Sequence, residues 1–105
     1  LPILEQTNEG YLFREMSMIS IDKENVIVDT VKKAEDGDDL IIRVYECYNR
    51  RTEVKLSLWR KIERVFECNL LEKDAKEIPK EDNYFIFKIA PYEIKTFKLT
   101  MKNKT

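Results

Sequence analysis

The chain has 105 residues, 19 basic and 20 acidic, for a formal net charge of -1. That is one domain's worth of sequence, able to bury roughly two-thirds of its unfolded surface around a single core. The near-neutral balance excludes a strong field toward nucleic acid or an anionic membrane, and no run of about eighteen apolar residues offers a membrane-spanning helix.

The first twelve residues contain Glu5 and Glu9 and lack a basic start followed by an apolar run, so they do not read as a signal peptide. The chain begins without Met, as an excised piece would. Residues 1–12 are taken as a linker or leading edge and 13–105 as the domain. Residues 13–21 mix apolar and polar positions, with Met16 and Met18 on one side and Ile19 and Ile21 on the other. Residues 22–25 are polar and predict a turn. Val26, Val28 and Thr30 then alternate with Ile27, Asp29 and Val31, a β-rich run that is poor for a helix.

Residues 35–39 carry an Asp-Gly pair that suits a tight turn. Leu40, Ile42 and Val44 alternate with Ile41, Arg43 and Tyr45, predicting a strand with one core face. Val54, Leu56 and Leu58 alternate strictly with Lys55 and Ser57, giving the cleanest half-buried strand. Residues 62–70 are less regular, with Arg64, Phe66, Cys68 and Leu70 sharing one parity. Residues 71–82 hold eight charges and Pro79 and read as a long exposed loop. Phe85, Phe87 and Ile89 mark another strand, ended by Pro91. Residues 94–101 form the last one, with a bulge expected near Lys95 because Ile94 and Thr96 fall off the parity of Phe97, Leu99 and Met101. Residues 102–105 should fray. About seven short strands and no convincing helix predict an all-β, two-sheet antiparallel sandwich.

The chain has no histidine. Ser-His-Asp and Cys-His mechanisms are therefore excluded within it, as are imidazole zinc sites. Two glycines cannot build a phosphate-cradling loop. Cys47 and Cys68 lack metal-type spacing. One bridge is possible if their strands are adjacent, and two reduced thiols of a cytosolic protein are the plainer reading. The acidic cluster Glu35, Asp36, Asp38 and Asp39 lacks calcium-loop spacing and reads as turn chemistry. Arg50, Arg51, Arg60, Lys61 and Arg64 are interleaved with Glu53, Glu63 and Glu67, the pattern of a salt-linked surface. Four residues stand out as carbohydrate or docking candidates. Trp59 is the only tryptophan, Arg43 and Tyr45 lie opposite a core face, and Tyr92 follows Pro91. Tyr48 is a further aromatic candidate.

The stretch ENVIVDTVKKAEDGDDLIIRVYE, residues 24–46, is similar to a segment near the C-terminus of the family 38 glycoside hydrolases, the α-mannosidases. Cys68-Asn69-Leu70-Leu71-Glu72 resembles the family's NLLE turn, and Ile89-Ala90-Pro91-Tyr92-Glu93-Ile94-Lys95-Thr96-Phe97 resembles its closing P-[FY]-E-I-x-T signature. The three pieces occur in order and cover most of residues 19–99. The resemblance implies a C-terminal accessory β-sandwich of immunoglobulin-like or galactose-mutarotase-like type, packed on a catalytic domain of the same chain. It further implies that Zn²⁺ and the catalytic aspartates belong to that separate domain, and that retaining hydrolysis of α-mannosides is the parent enzyme's activity. No catalytic or metal residue is expected in the present segment. A cytoplasmic setting is expected, with no nucleic acid or membrane partner and with α-mannoside contact, if any, at an inter-domain surface.

Overall fold

The computed structural model describes residues 18–34, 39–69, 71 and 73–102. The boundary expected near residue 12, the first five residues of the segment read as 13–21 and the Asp-Gly pair all lie outside those residues. Eight strands are present among the described residues: β1 (Ser20–Ile21), β2 (Val26–Lys33), β3 (Leu40–Glu46), β4 (Thr52–Ser57), β5 (Ile62–Cys68), β6 (Lys76–Ile78), β7 (Tyr84–Ile89) and β8 (Ile94–Met101). They form two sheets, of order β1-β4-β7 and β2-β3-β8-β5-β6, and every pairing is antiparallel.

The core lies between the sheets and follows the period-2 rule. Val54 and Leu56 of β4, Phe85, Phe87 and Ile89 of β7, Leu40, Ile42 and Val44 of β3, and Phe97 and Leu99 of β8 all point inward and are buried. At the centre Phe97 meets Phe85 at 4.9 Å and Phe87 at 4.7 Å between ring centroids. These tilted and edge-on contacts suit the aromatic quadrupole and add to simple burial.

Two sequence expectations need correction. The charged stretch 71–82 is not all loop, because Lys76–Ile78 pairs with β5 and puts Ile78 opposite Val65, where it packs on the core. The bulge expected near Lys95 is absent, since β8 runs in continuous register with β3 from Leu40↔Leu99 to Tyr45↔Ile94. Ile94 is simply an apolar residue on the outward parity. The register shifts instead between Val28 and Thr30 in β2 and between Ile62 and Arg64 in β5. One extra residue in each strand flips the later side chains. That is why Val31 joins the core while Thr30, itself buried, shares the other face of the sheet with its register partner Arg43, and why both Ile62 and Val65 can be buried.

Candidate functional site

The inward parity of β3 ends on Glu46, a carboxylate with no exposed surface. Its oxygens take four donated hydrogen bonds. Oε2 accepts from Asn25 Nδ2 at 2.7 Å, Tyr48 N at 3.0 Å and Arg50 N at 3.1 Å, while Oε1 accepts from Tyr92 N at 2.8 Å. Asn25 Nδ2 also donates to Thr52 Oγ1 at 2.8 Å, and that hydroxyl donates to Arg50 O at 2.8 Å. Among the described residues no buried side-chain nitrogen or oxygen lacks a partner. Burial would by itself raise the Glu46 pKa. The bond from the Tyr92 amide, then those from Asn25, Tyr48 and Arg50, outweigh it and lower the pKa to about 2. The group is ionised at every pH the folded domain ordinarily meets.

The donors come from three different crossings between the sheets. Asn25 lies on the β1–β2 turn, Tyr48 and Arg50 on the β3–β4 loop, and Tyr92 on the β7–β8 turn. The other two sheet-to-sheet crossings among the described residues, β4–β5 and β6–β7, lie at the opposite end. One buried carboxylate therefore rivets all three crossings at its own end. Two of the riveted loops contain residues in the left-handed region, Asn49 at φ 62° and Tyr92 at φ 59°. For an aromatic residue this is a costly conformation, and the hydrogen bond that the Tyr92 N–H donates to Glu46 helps hold it in place.

Arg43 and Tyr45 lie on the outer face of the five-stranded sheet. Arg43 Nε donates to Thr96 Oγ1 at 3.2 Å, which ties it across to β8. Tyr45 stands between Ile27 of β2 and Ile94 of β8, its partners in register on either side. Ile27 is 47% and Ile94 45% exposed, so the three make an apolar row across three adjacent strands. Tyr92, two residues before Ile94, is 55% exposed, and Tyr48 is exposed on the neighbouring riveted loop. Trp59 is separate: it follows β4 at the end remote from Glu46 and is 38% exposed. The basic cluster is also split. Arg50 belongs to the riveted end, while Arg60 donates to Lys102 O at 2.8 Å at the other.

The sequence reading missed Glu46, Asn25 and Thr52. Its available signal was parity, since Glu46 continues the Leu40-Ile42-Val44 face, and a carboxylate on a core face must be paired or hydrogen-bonded. Cys47 and Cys68 are not joined to each other in a disulfide. The chain has no histidine, and among the described residues no three Cys, Asp or Glu side chains gather in a metal-holding group.

Comparison with known proteins agrees with this architecture. Residues 25–97 match the family described as Glycosyl hydrolases family 38 C-terminal beta sandwich domain. The chain is also 38% identical over 87 residues to Alpha-mannosidase G of Dictyostelium discoideum. That similarity covers 80% of this chain and 8% of the relative, so the chain corresponds to a small part of that protein's length.

Proposed function

The chain belongs to the C-terminal β-sandwich domains of the family 38 glycosyl hydrolases, and we propose that it serves a larger α-mannosidase as a non-catalytic accessory domain. In this role it packs on the catalytic domain and stabilises it, while the Zn²⁺-dependent, retaining hydrolysis of α-mannosides is carried out elsewhere in the parent chain. The observation that carries the proposal is the Ile27–Tyr45–Ile94 row. Two half-exposed isoleucines flanking a tyrosine on one sheet face make an apolar surface that water does not favour. Arg43 and Tyr92 at its margins are residue types favoured as anchors in protein contacts.

The test is the pair of changes Ile27→Asp and Ile94→Asp in the full-length enzyme. We expect the accessory domain to come loose, with proteolysis at its boundary accelerated at least tenfold and the melting temperature of the whole enzyme lowered. The 105-residue chain should tolerate both changes, because its own core is untouched. Unaltered proteolysis of the full-length double variant would remove the docking face. A carbohydrate-binding module would instead bind mannose oligosaccharides on calorimetric titration and lose that binding in Tyr92→Ala or Trp59→Ala.

A further inference from the structure

Among the described residues the two sheets are unequal, and the difference falls on one side. Neighbouring strands stand ~4.8 Å apart, so a three-stranded layer is two strand widths narrower than the five-stranded layer it faces. β1 approaches β2, and Phe85 and Phe87 of β7 pack on Phe97 of β8. Beyond β7, no strand among the described residues covers the inner face of β5 and β6. Two hollows occupy that margin. One, of about 320 Å³, has Glu67 of β5 and Ile78 of β6 on one side and Ile86, Phe87 and Lys88 of β7 on the other. The second, of about 280 Å³, runs along Tyr84, Phe85 and Ile86, and the two share Pro79 and Ile86.

Among the described residues, the edge of β7 beside these hollows has no strand partner. β7 pairs only with β4 among the described residues. Leu58 N donates to Asn83 O at 2.8 Å, which places the Asn83 carbonyl toward β4, while Glu81 N donates to Tyr84 O at 2.8 Å from the opposite side. In an antiparallel ladder successive residues alternate in this way. Ile86 and Lys88 therefore direct their N–H and C=O groups away from β4, toward the hollows. Ile86 is 50% exposed. Of the charged residues there, Glu67 is paired with Lys95 Nζ at 2.6 Å, Lys88 stands opposite Glu53 in register, and Lys80 and Glu81 border the second hollow. A bare stretch of strand edge beside apolar surface is an aggregation hazard that native proteins cover.

We infer that an extended segment from the remainder of the parent chain adds to β7 as a fourth strand. It bonds to the backbone of Ile86 and Lys88 and places alternate, uncharged apolar side chains in the two hollows. The inference rests on the accessory-domain reading above. The occupant is assigned to the parent chain because the matched segment is 8% of its α-mannosidase relative, leaving over nine-tenths of such a chain outside the sandwich. The lining by Ile78, Pro79, Phe85, Ile86 and Phe87 favours an apolar strand over a charged partner.

Residue-resolved hydrogen exchange and hydroxyl-radical footprinting on the full-length enzyme test the inference. The Ile86 and Lys88 amides should exchange within tenfold of the Val54 and Phe97 amides, and the Ile86 side chain should be shielded from labelling. Exchange at the rate of the Trp59 and Arg60 loop amides would overturn the inference. Protection that grows with enzyme concentration would also overturn it, by assigning the edge to a second copy. Labelling of Tyr45, Ile27 and Ile94 in the same experiment reports the docking face separately. If those residues are shielded while Ile86 and Lys88 are open, only the strand addition fails; if they too are labelled freely, the accessory reading falls with it.

Discussion

Replacing Glu46 by Gln is the most direct probe of the riveted end. The amide keeps one acceptor oxygen and substitutes an NH₂ group for the other. With its oxygen in the place of Oε2 it still accepts from Asn25, Tyr48 and Arg50, and its NH₂ confronts the Tyr92 N–H. The reverse orientation satisfies Tyr92 and confronts the other three, so the first is favoured and at least one buried backbone donor is left unpaired. For a domain of this size that loss lowers Tm by roughly 5–20 °C at pH 7. The pH dependence adds a second signature. The folded-state pKa is depressed to about 2 from 4.5, so the carboxylate's contribution is complete above pH 4.5. It fades as pH falls from there toward about 2. Thermal melts of the two proteins at pH 7, 5, 3.5 and 2.5 should therefore show a Tm gap that is constant down to about pH 5 and narrows below it. Equal melting temperatures at pH 7, or a gap that does not narrow in acid, would refute the assignment of Glu46 as a buried, ionised hub.

Asn25→Asp should invert the pH response. It sets a second carboxylate 2.7 Å from Glu46 Oε2, so one of the pair must hold a proton with a raised pKa. Its stability, read by urea denaturation, should be greatest in mild acid and fall as pH rises toward neutrality. Phe97→Ala removes the ring between Phe85 and Phe87 at a site with no exposed surface and should cost ~3–5 kcal/mol in chemical denaturation. Ile86→Ala, at a half-exposed position, should cost under ~0.5 kcal/mol in the 105-residue chain. That chain should show no hydrolysis of an aryl α-mannoside, with or without added Zn²⁺. Turnover above the buffer rate that survives repurification would overturn the non-catalytic assignment.

The sandwich was legible where a strand keeps strict alternation. Thr52–Ser57 and Tyr84–Ile89 declared both their extent and their inward faces. Legibility failed where one inserted residue changes parity, as at Asp29 and Glu63, because nothing local marks which residue is the extra one. It failed at Lys76–Ile78 because a strand held mainly by backbone bonds at a sheet edge can carry charged side chains. Ile94 was mistaken for evidence of a bulge, since an apolar residue facing solvent has no rationale within a single sheet and gains one only as part of a row that spans three strands. Strand order and the convergence on Glu46 join positions far apart in sequence, and they emerge only when the sheets are assembled.

The rivet at Glu46 also has a consequence in time. Its last donor, the Tyr92 amide, lies 46 residues downstream of the carboxylate. At a synthesis rate of about 5–20 residues per second, Glu46 waits about 2–9 s on the ribosome before that partner exists. During this interval β3 and β4 can pair with neighbours already made, but one oxygen of the carboxylate lacks its protein donor and must remain hydrated. The end of the sandwich that bears Tyr48 and Tyr92 is thus completed only as the β7–β8 turn arrives. A nascent chain halted before Tyr92 would present a wet, unclosed layer, with Glu46 titrating nearer an ordinary carboxylate.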